Sequence, residues 1–220
     1  MAKFVPGRIF GKEIESESLL QEHPVLRKSY GRRDKAASIP PKEGQNEVHG
    51  WFSPSEGWAL WNTPLEKMAG KLEMDFKDFL LEKIIEAERE GRKLRVLNVG
   101  VGGSVWPQEI LDRIEFHGTA LSHTYDERLK RKVKIATAAQ LHKKFKSDYF
   151  DVIVSHAGMH GEELHGIENI MHILKPAGHA VLTMSISREN IVRVGNSPHY
   201  ITHEIASSET TTSVHLEKKS

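Results

Sequence analysis

Leu94-Arg95-Val96-Leu97-Asn98-Val99-Gly100-Val101-Gly102-Gly103-Ser104 is a short apolar run that stops abruptly in glycines. Apolar residues at consecutive positions, with β-branched Val96 and Val99, suit a strand buried on both faces. The glycines can take positive φ or let another molecule approach the main chain, neither of which a bulky side chain permits. A central strand entering a glycine turn is how an open α/β sheet presents a nucleotide-like ligand at its carboxyl edge. The segment therefore places a candidate site.

Beyond Gly103 the chain alternates. Trp106 to Ile114 has helical spacing through Ile110, Leu111 and Ile114. His117 to Ser122 reads as a second strand, Lys132 to Ala136 as a third and Tyr149 to Ser155 as a fourth. Leu164 to Leu174 reads as a helix ended by Lys175-Pro176-Ala177-Gly178, and His179 to Met184 as a fifth strand. Helices between short apolar strands predict a mostly parallel sheet with right-handed crossovers and helices on both faces. Tyr200 to Ile205 and Thr211 to Leu216 are β-rich and joined by polar residues, which predicts an antiparallel pair at the sheet edge.

Toward the amino terminus, Thr63-Pro64-Leu65-Glu66 reads as a helix start with Thr63 as cap. Leu65, Met68, Leu72, Phe76, Phe79, Leu80, Ile84 and Ala87 follow at three- and four-residue steps, with Gly70 a weak point that can divide the run. Trp51, Phe52, Trp58 and Trp61 crowd together before it, either covering a core edge or lying over the ligand cleft. Residues 1–50 read as a polar arm, 51–92 as an aromatic segment and helix packing on the domain, and 93–220 as the ligand-binding domain. Within the arm, Arg27, Lys28, Arg32, Arg33 and Lys35 cluster beside Tyr30; a solvated terminus is preferred over a phosphate or acidic-partner contact.

The chain has 220 residues, 38% of them hydrophobic and 28% charged, with a formal net charge of +1. That balance gives no field that would draw it to nucleic acid or membrane. The sequence contains no cysteine, which excludes disulfides, thiolate metal sites and a cysteine nucleophile. No apolar run approaches the roughly 20 residues that span a bilayer. With no long apolar block behind Lys3, Arg8 and Lys12, no secretory signal is read, and a cytoplasmic location is expected.

From Leu94 to Met184 the chain resembles the class I S-adenosylmethionine-dependent methyltransferases, which have a Rossmann-like α/β fold. Val96-Leu97-Asn98-Val99-Gly100-Val101-Gly102 resembles the family's first motif, the glycine turn under the methionine part of the cofactor. Asp148-Tyr149-Phe150-Asp151-Val152-Ile153-Val154-Ser155 resembles its fourth-strand motif. Ile173-Leu174-Lys175-Pro176-Ala177-Gly178 resembles the Leu-Lys-Pro-Gly-Gly turn before the fifth strand. The resemblance implies S-adenosyl-L-methionine as cofactor. It implies contacts from Asn98, Gly100, Val101 and Gly102, from Ser122 and His123 after the second strand, from Ala138 and Ala139 after the third, and from Ser155. The chain departs from the pattern in several places, among them the third strand, where Ala136-Thr137-Ala138-Ala139-Gln140 stands in place of the usual Asp near the adenine amine. Asn98 replaces an acid, Ser104 replaces a third glycine, and Thr119-Ala120-Leu121-Ser122-His123 lacks the ribose-binding acid, with Asp126 just beyond.

Methyl transfer from a sulfonium is an in-line displacement that positioning and water exclusion can largely achieve. Ser155-His156-Ala157-Gly158 stands where base-directed relatives carry Asn/Asp-Pro-Pro-aromatic, so nucleic acid is not favoured. The expected acceptor is an oxygen or nitrogen of a small molecule or protein. His156 and His160 are candidate general bases, or else loop residues bonded to main chain or water. His156, His160 and His165 with Glu162 and Glu163 match no helical metal-binding spacing, and no metal is expected. The alternative function is a methyltransferase-like interaction protein without catalysis, working through its basic arm. The oligomeric state stays open.

Overall fold

The computed structural model describes residues 63–220 apart from 102–103, 121–126, 157–158, 160–162, 185–187 and 208–210, together with two short strands, Phe52–Ser53 and Trp58–Ala59, which pair with each other. The proposed arm and its basic cluster lie outside the described residues.

Seven strands form the main sheet: β1 (Leu94–Val99), β2 (Ile114–Ala120), β3 (Val133–Ile135), β4 (Phe150–His156), β5 (Leu174–Met184), β6 (Tyr200–Ser207) and β7 (Thr212–Lys218). Their order is β3-β2-β1-β4-β5-β7-β6. β1 to β5 pair in parallel, and β7 runs antiparallel to both its neighbours. This is a Rossmann-like α/β sheet. The expected antiparallel pair is present, but β7 lies inside it and β6 forms the edge. From β1 the chain builds outward through β2 and β3, then returns to add β4 on β1's other side. The crevice at the carboxyl ends of β1 and β4 is thus the topological switch point, where such sheets bind ligands.

Strand alternation sorts the core into two layers. Val96, Val152, Val154 and Val181 face the layer of α1 (Phe76–Arg89) and α2 (Gln108–Leu111). Leu97, Val99, Ile153 and Leu182 face α3 (Leu141–Lys144), α4 (Glu163–Ile173) and α5 (Arg188–Gly195).

Two expected helices differ from the observed ones. Thr63 caps nothing: Thr63–Pro64 forms a parallel bridge to Ser104–Val105, and Leu65–Lys67 makes one tight 3-10 turn. α1 starts only at Phe76, where Asp75 Oδ1 accepts from the amides of Lys77 at 2.8 Å and Asp78 at 3.2 Å. Between them, residues 63–73 form a strap across the sheet. Gly70 at φ +67° turns it, the Lys71 amide donates to Ser213 Oγ at 2.9 Å, and the Glu73 amide donates to Glu204 Oε1 at 2.9 Å. The other difference is α2, which spans Gln108–Leu111 alone; Ile114 is already the first residue of β2.

The fourth-strand motif has a structural task at the opposite end from the switch point. Asp151 accepts from the Arg95 amide at 2.8 Å and Arg92 Nη1 at 2.9 Å through one oxygen, and from Lys175 Nζ at 2.8 Å through the other. It thereby ties β1, β4 and the start of β5. Residues 175–178 loop out of β5, with Ala177 at φ +58°; a Cβ on Gly178 would sit 2.9 Å from the Lys175 carbonyl and 3.0 Å from the Asp151 carbonyl. Asp151→Asn keeps the shape but removes the charge and turns one acceptor into a donor. It should lower stability by about 2 kcal/mol in a denaturant titration. An unchanged midpoint would show that water replaces the clamp.

Candidate functional site

The bend after β1 is set by Gly100 and Thr119. Gly100 has φ +75°, its amide donates to Thr119 Oγ1 at 3.3 Å, and the Val101 amide donates to the Thr119 carbonyl at 2.8 Å. The main chain therefore turns toward β2. Val101 is fully buried, and a Cβ on Gly118 would lie 2.4 Å from its Cγ2. Gly118 leaves the room that Val101 fills, so the Val101 side chain packs on β2. Neither Thr119 nor Gly118 was singled out from the sequence, because their part depends on strand pairing.

Asn98, one residue inside β1, is completely buried and stands in register with Gly118 and Val154. Alternation puts its side chain on the α1 side of the sheet. Both its amide oxygen and nitrogen lack a hydrogen-bond partner. Such a group is expensive to bury, roughly 1–3 kcal/mol, and in a native fold it calls for an explanation. Trp106, also fully buried, packs edge-on against Phe116 at 4.8 Å and leaves its indole nitrogen without a partner.

β4 ends in two residues with opposite orientations. Ser155 is fully buried and its Oγ donates to the Val99 carbonyl at 3.1 Å, joining β4 to β1 at the switch point. His156 points to the α1 side and makes a main-chain hydrogen bond with Met68 of the strap. Its Nδ1 has no partner, which leaves Nε2 for that bond. Burial holds the imidazole below its ordinary range, and the Met68 bond offsets part of this. The ring is therefore neutral at neutral pH, with Nδ1 carrying the lone pair.

Ala138 and Ala139 follow β3 in a 3-10 turn. Ala138 is buried where a Cβ on Gly166 of α4 would come within 3.1 Å of it, and the Ala139 carbonyl accepts from Asn169 Nδ2 at 3.2 Å. Met159 is buried beside Gly166. His165 is exposed on α4, with Nδ1 3.4 Å from Glu168 Oε2. Gly102, Ser122, His123, Asp126 and His160 lie outside the described residues. The described part thus places Asn98, Gly100, Val101, Ser155 and His156 at the carboxyl ends of β1 and β4, with Ala138 and Ala139 following the next strand but one.

No helix among the described residues is long and apolar enough to cross a membrane. No protein-family model matches the sequence, and no curated protein matches it significantly. Solved structures with a similar fold include an rRNA methylase from Streptococcus thermophilus, 13% identical, TM-score 0.47, covering 69% of this chain and 99% of that one. Another is the 1,6-didemethyltoxoflavin-N1-methyltransferase of Burkholderia thailandensis with bound S-adenosylhomocysteine, 11% identical, TM-score 0.44, covering 64% of this chain and 78% of that one.

Proposed function

We propose that the chain is an S-adenosylmethionine-dependent methyltransferase acting on an oxygen or nitrogen of a small molecule or protein. One observation supports this reading above the others: a buried amide without a partner, Asn98, adjoins a left-handed glycine bend at the switch point of the sheet. A polar ligand at that crevice gives the amide the donor and acceptor that the protein itself withholds. When bound, the cofactor supplies an electrophilic sulfonium methyl. The chain's share is to hold the ligand against the Gly100 bend through Asn98 and to keep the crevice rigid through the Ser155–Val99 bond. His156 Nδ1 takes the proton of the acceptor hydroxyl or amine.

Calorimetry with S-adenosylhomocysteine tests the binding half, and a labelled-methyl assay against hydroxyl, amine, protein and RNA acceptors tests the reaction. One equivalent bound with micromolar affinity supports the proposal. Absence of heat at millimolar ligand overturns it in favour of a fold kept for interaction alone.

The His156 assignment has its own pH signature. A base whose folded value lies below the ordinary 6.5 keeps its rate as the pH falls through 6.5, and loses it only further down. His156→Gln should lower kcat and abolish that acid limb. Linkage gives a second reading with a definite sign. Between 6.5 and the lowered folded value the unfolded chain binds the extra proton, so stability falls as the pH drops through that window. A variant with unchanged kcat would confine His156 to its contact with Met68.

A further inference from the structure

Away from the switch point, three imidazoles from three strands meet on the α1 side of the sheet: His179 of β5, His203 of β6 and His215 of β7. One nitrogen from each lies within 4.8 Å of the other two. We propose that they form a zinc site, with a fourth position open to water.

The spacing supports this. His215 Nε2 and His179 Nδ1 are 3.2 Å apart. Zinc–nitrogen bonds of about 2.0–2.1 Å in a tetrahedron separate two ligand nitrogens by roughly 3.3 Å. Two of the three donors therefore already stand one tetrahedral edge apart. The third, His203, sits at the irregular step in the β6–β7 register between Thr202 and Glu204. That bulge turns His203 onto the same face as His215, and the two rings stack at 4.7 Å. His203 is exposed, so it is the ring with space to close the remaining gap.

The surroundings suit a cation held by neutral imidazoles. His203 Nε2 is 2.7 Å from Glu217 Oε2, the carboxylate contact that orients a ligating histidine and leaves Nδ1 with its lone pair. Phe79 of α1 packs edge-on against His179 at 5.4 Å and His215 at 5.3 Å, fixing both rings. Burial, and then the neighbouring imidazoles, push His215 down to about 4, so a metal displaces no proton from a charged ring there at neutral pH. Lys83 opposes a dication, but it is paired with Glu86 at 3.0 Å, and Glu217 adds a negative charge on the other side. A strand rises about 3.3 Å per residue, which puts His179 roughly 13 Å from Thr183, the partner of His156. The zinc site is thus separate from the crevice. It would pin the edge strand β6 and the reversed β7 to β5.

The test uses the full, untagged, metal-stripped chain and zinc alone. In competition with a chromophoric chelator at neutral pH, one equivalent of zinc is expected to bind. His203→Asn, on the exposed strand, should weaken that binding at least about tenfold. Zinc should also raise the melting temperature of the wild-type chain and leave that of His203→Asn unchanged. Cobalt in place of zinc should give the intense visible absorption of a tetrahedral site. Failure to compete at micromolar zinc overturns the proposal. So does binding that His203→Asn leaves untouched, which would assign the metal to other histidines.

Discussion

Asn98→Leu is expected to melt higher than the wild-type chain while losing its ligand. Leucine keeps the branched, four-heavy-atom side chain of asparagine without its polar atoms, and Val96, Val154 and Val101 nearby are apolar and fully buried. The wild-type fold buries a donor and an acceptor that nothing in the protein satisfies. Removing both should recover about 1–3 kcal/mol, the penalty of an unpaired buried polar group. For a chain of this size that is roughly 2–10 °C in melting temperature. The same change takes away every hydrogen bond the amide offers a ligand. The affinity for S-adenosylhomocysteine should drop about 10–100-fold, since each ten-fold step is about 1.4 kcal/mol. The opposite signs carry the test. A residue kept for packing would lose stability on replacement, and one with neither task would change nothing. A rise in stability without a loss of affinity would detach Asn98 from the ligand and leave the bend at Gly100 as the remaining support.

What could be read in advance follows from how local each signal is. Buried parallel strands announce themselves as apolar runs, so β1, β4 and the core of β5 were legible with their turn glycines. The α2 region misled because Ile110, Leu111 and Ile114 fit a helical stripe, while Ile114, Phe116 and Gly118 equally fit a strand. Pairing with β1 decided it. The strap misled for a related reason. Its apolar residues at helical spacing are all buried as expected, but Gly70 in the left-handed region and the hydrogen bonds to Ser213 and Glu204 hold the chain in turns and bends across strand ends. Those partners are far away in sequence. α5 was unread because one short helix shows too little of its period. The candidate site was legible in its positions but not in its orientations. Ser155 faces Val99, Val101 faces Gly118 and His156 faces Met68, and each direction depends on a neighbouring strand or on the strap. The three clustered histidines were wholly silent, because no spacing within one segment reports a rung shared by three.

Gly70→Val should be among the most damaging single changes in the chain, and it links the fold to the crevice. The native φ of +67° disfavours any L side chain, by about 1–2 kcal/mol. A Cβ there would stand 2.3 Å from Thr183 Oγ1 and 2.4 Å from Ser213 Oγ, so the strap must move off β5 and β7. That movement breaks the bond from the Lys71 amide to Ser213 and disturbs the Thr183–Ser213 hydroxyl pair, which is 3.0 Å long. Strain, overpacking and the lost bonds together predict a loss of about 3–5 kcal/mol in denaturant unfolding. The strap also carries Met68, whose main chain holds His156. Once displaced, it should let the imidazole titrate closer to its ordinary value, and a ring-proton titration by NMR would follow that rise. Ser213→Ala separates the causes. It removes one clashing atom and the same Lys71 bond, so the double variant should lose less than the sum of the two singles. Strict additivity, or an unmoved His156, would mean that the strap and the crevice are independent.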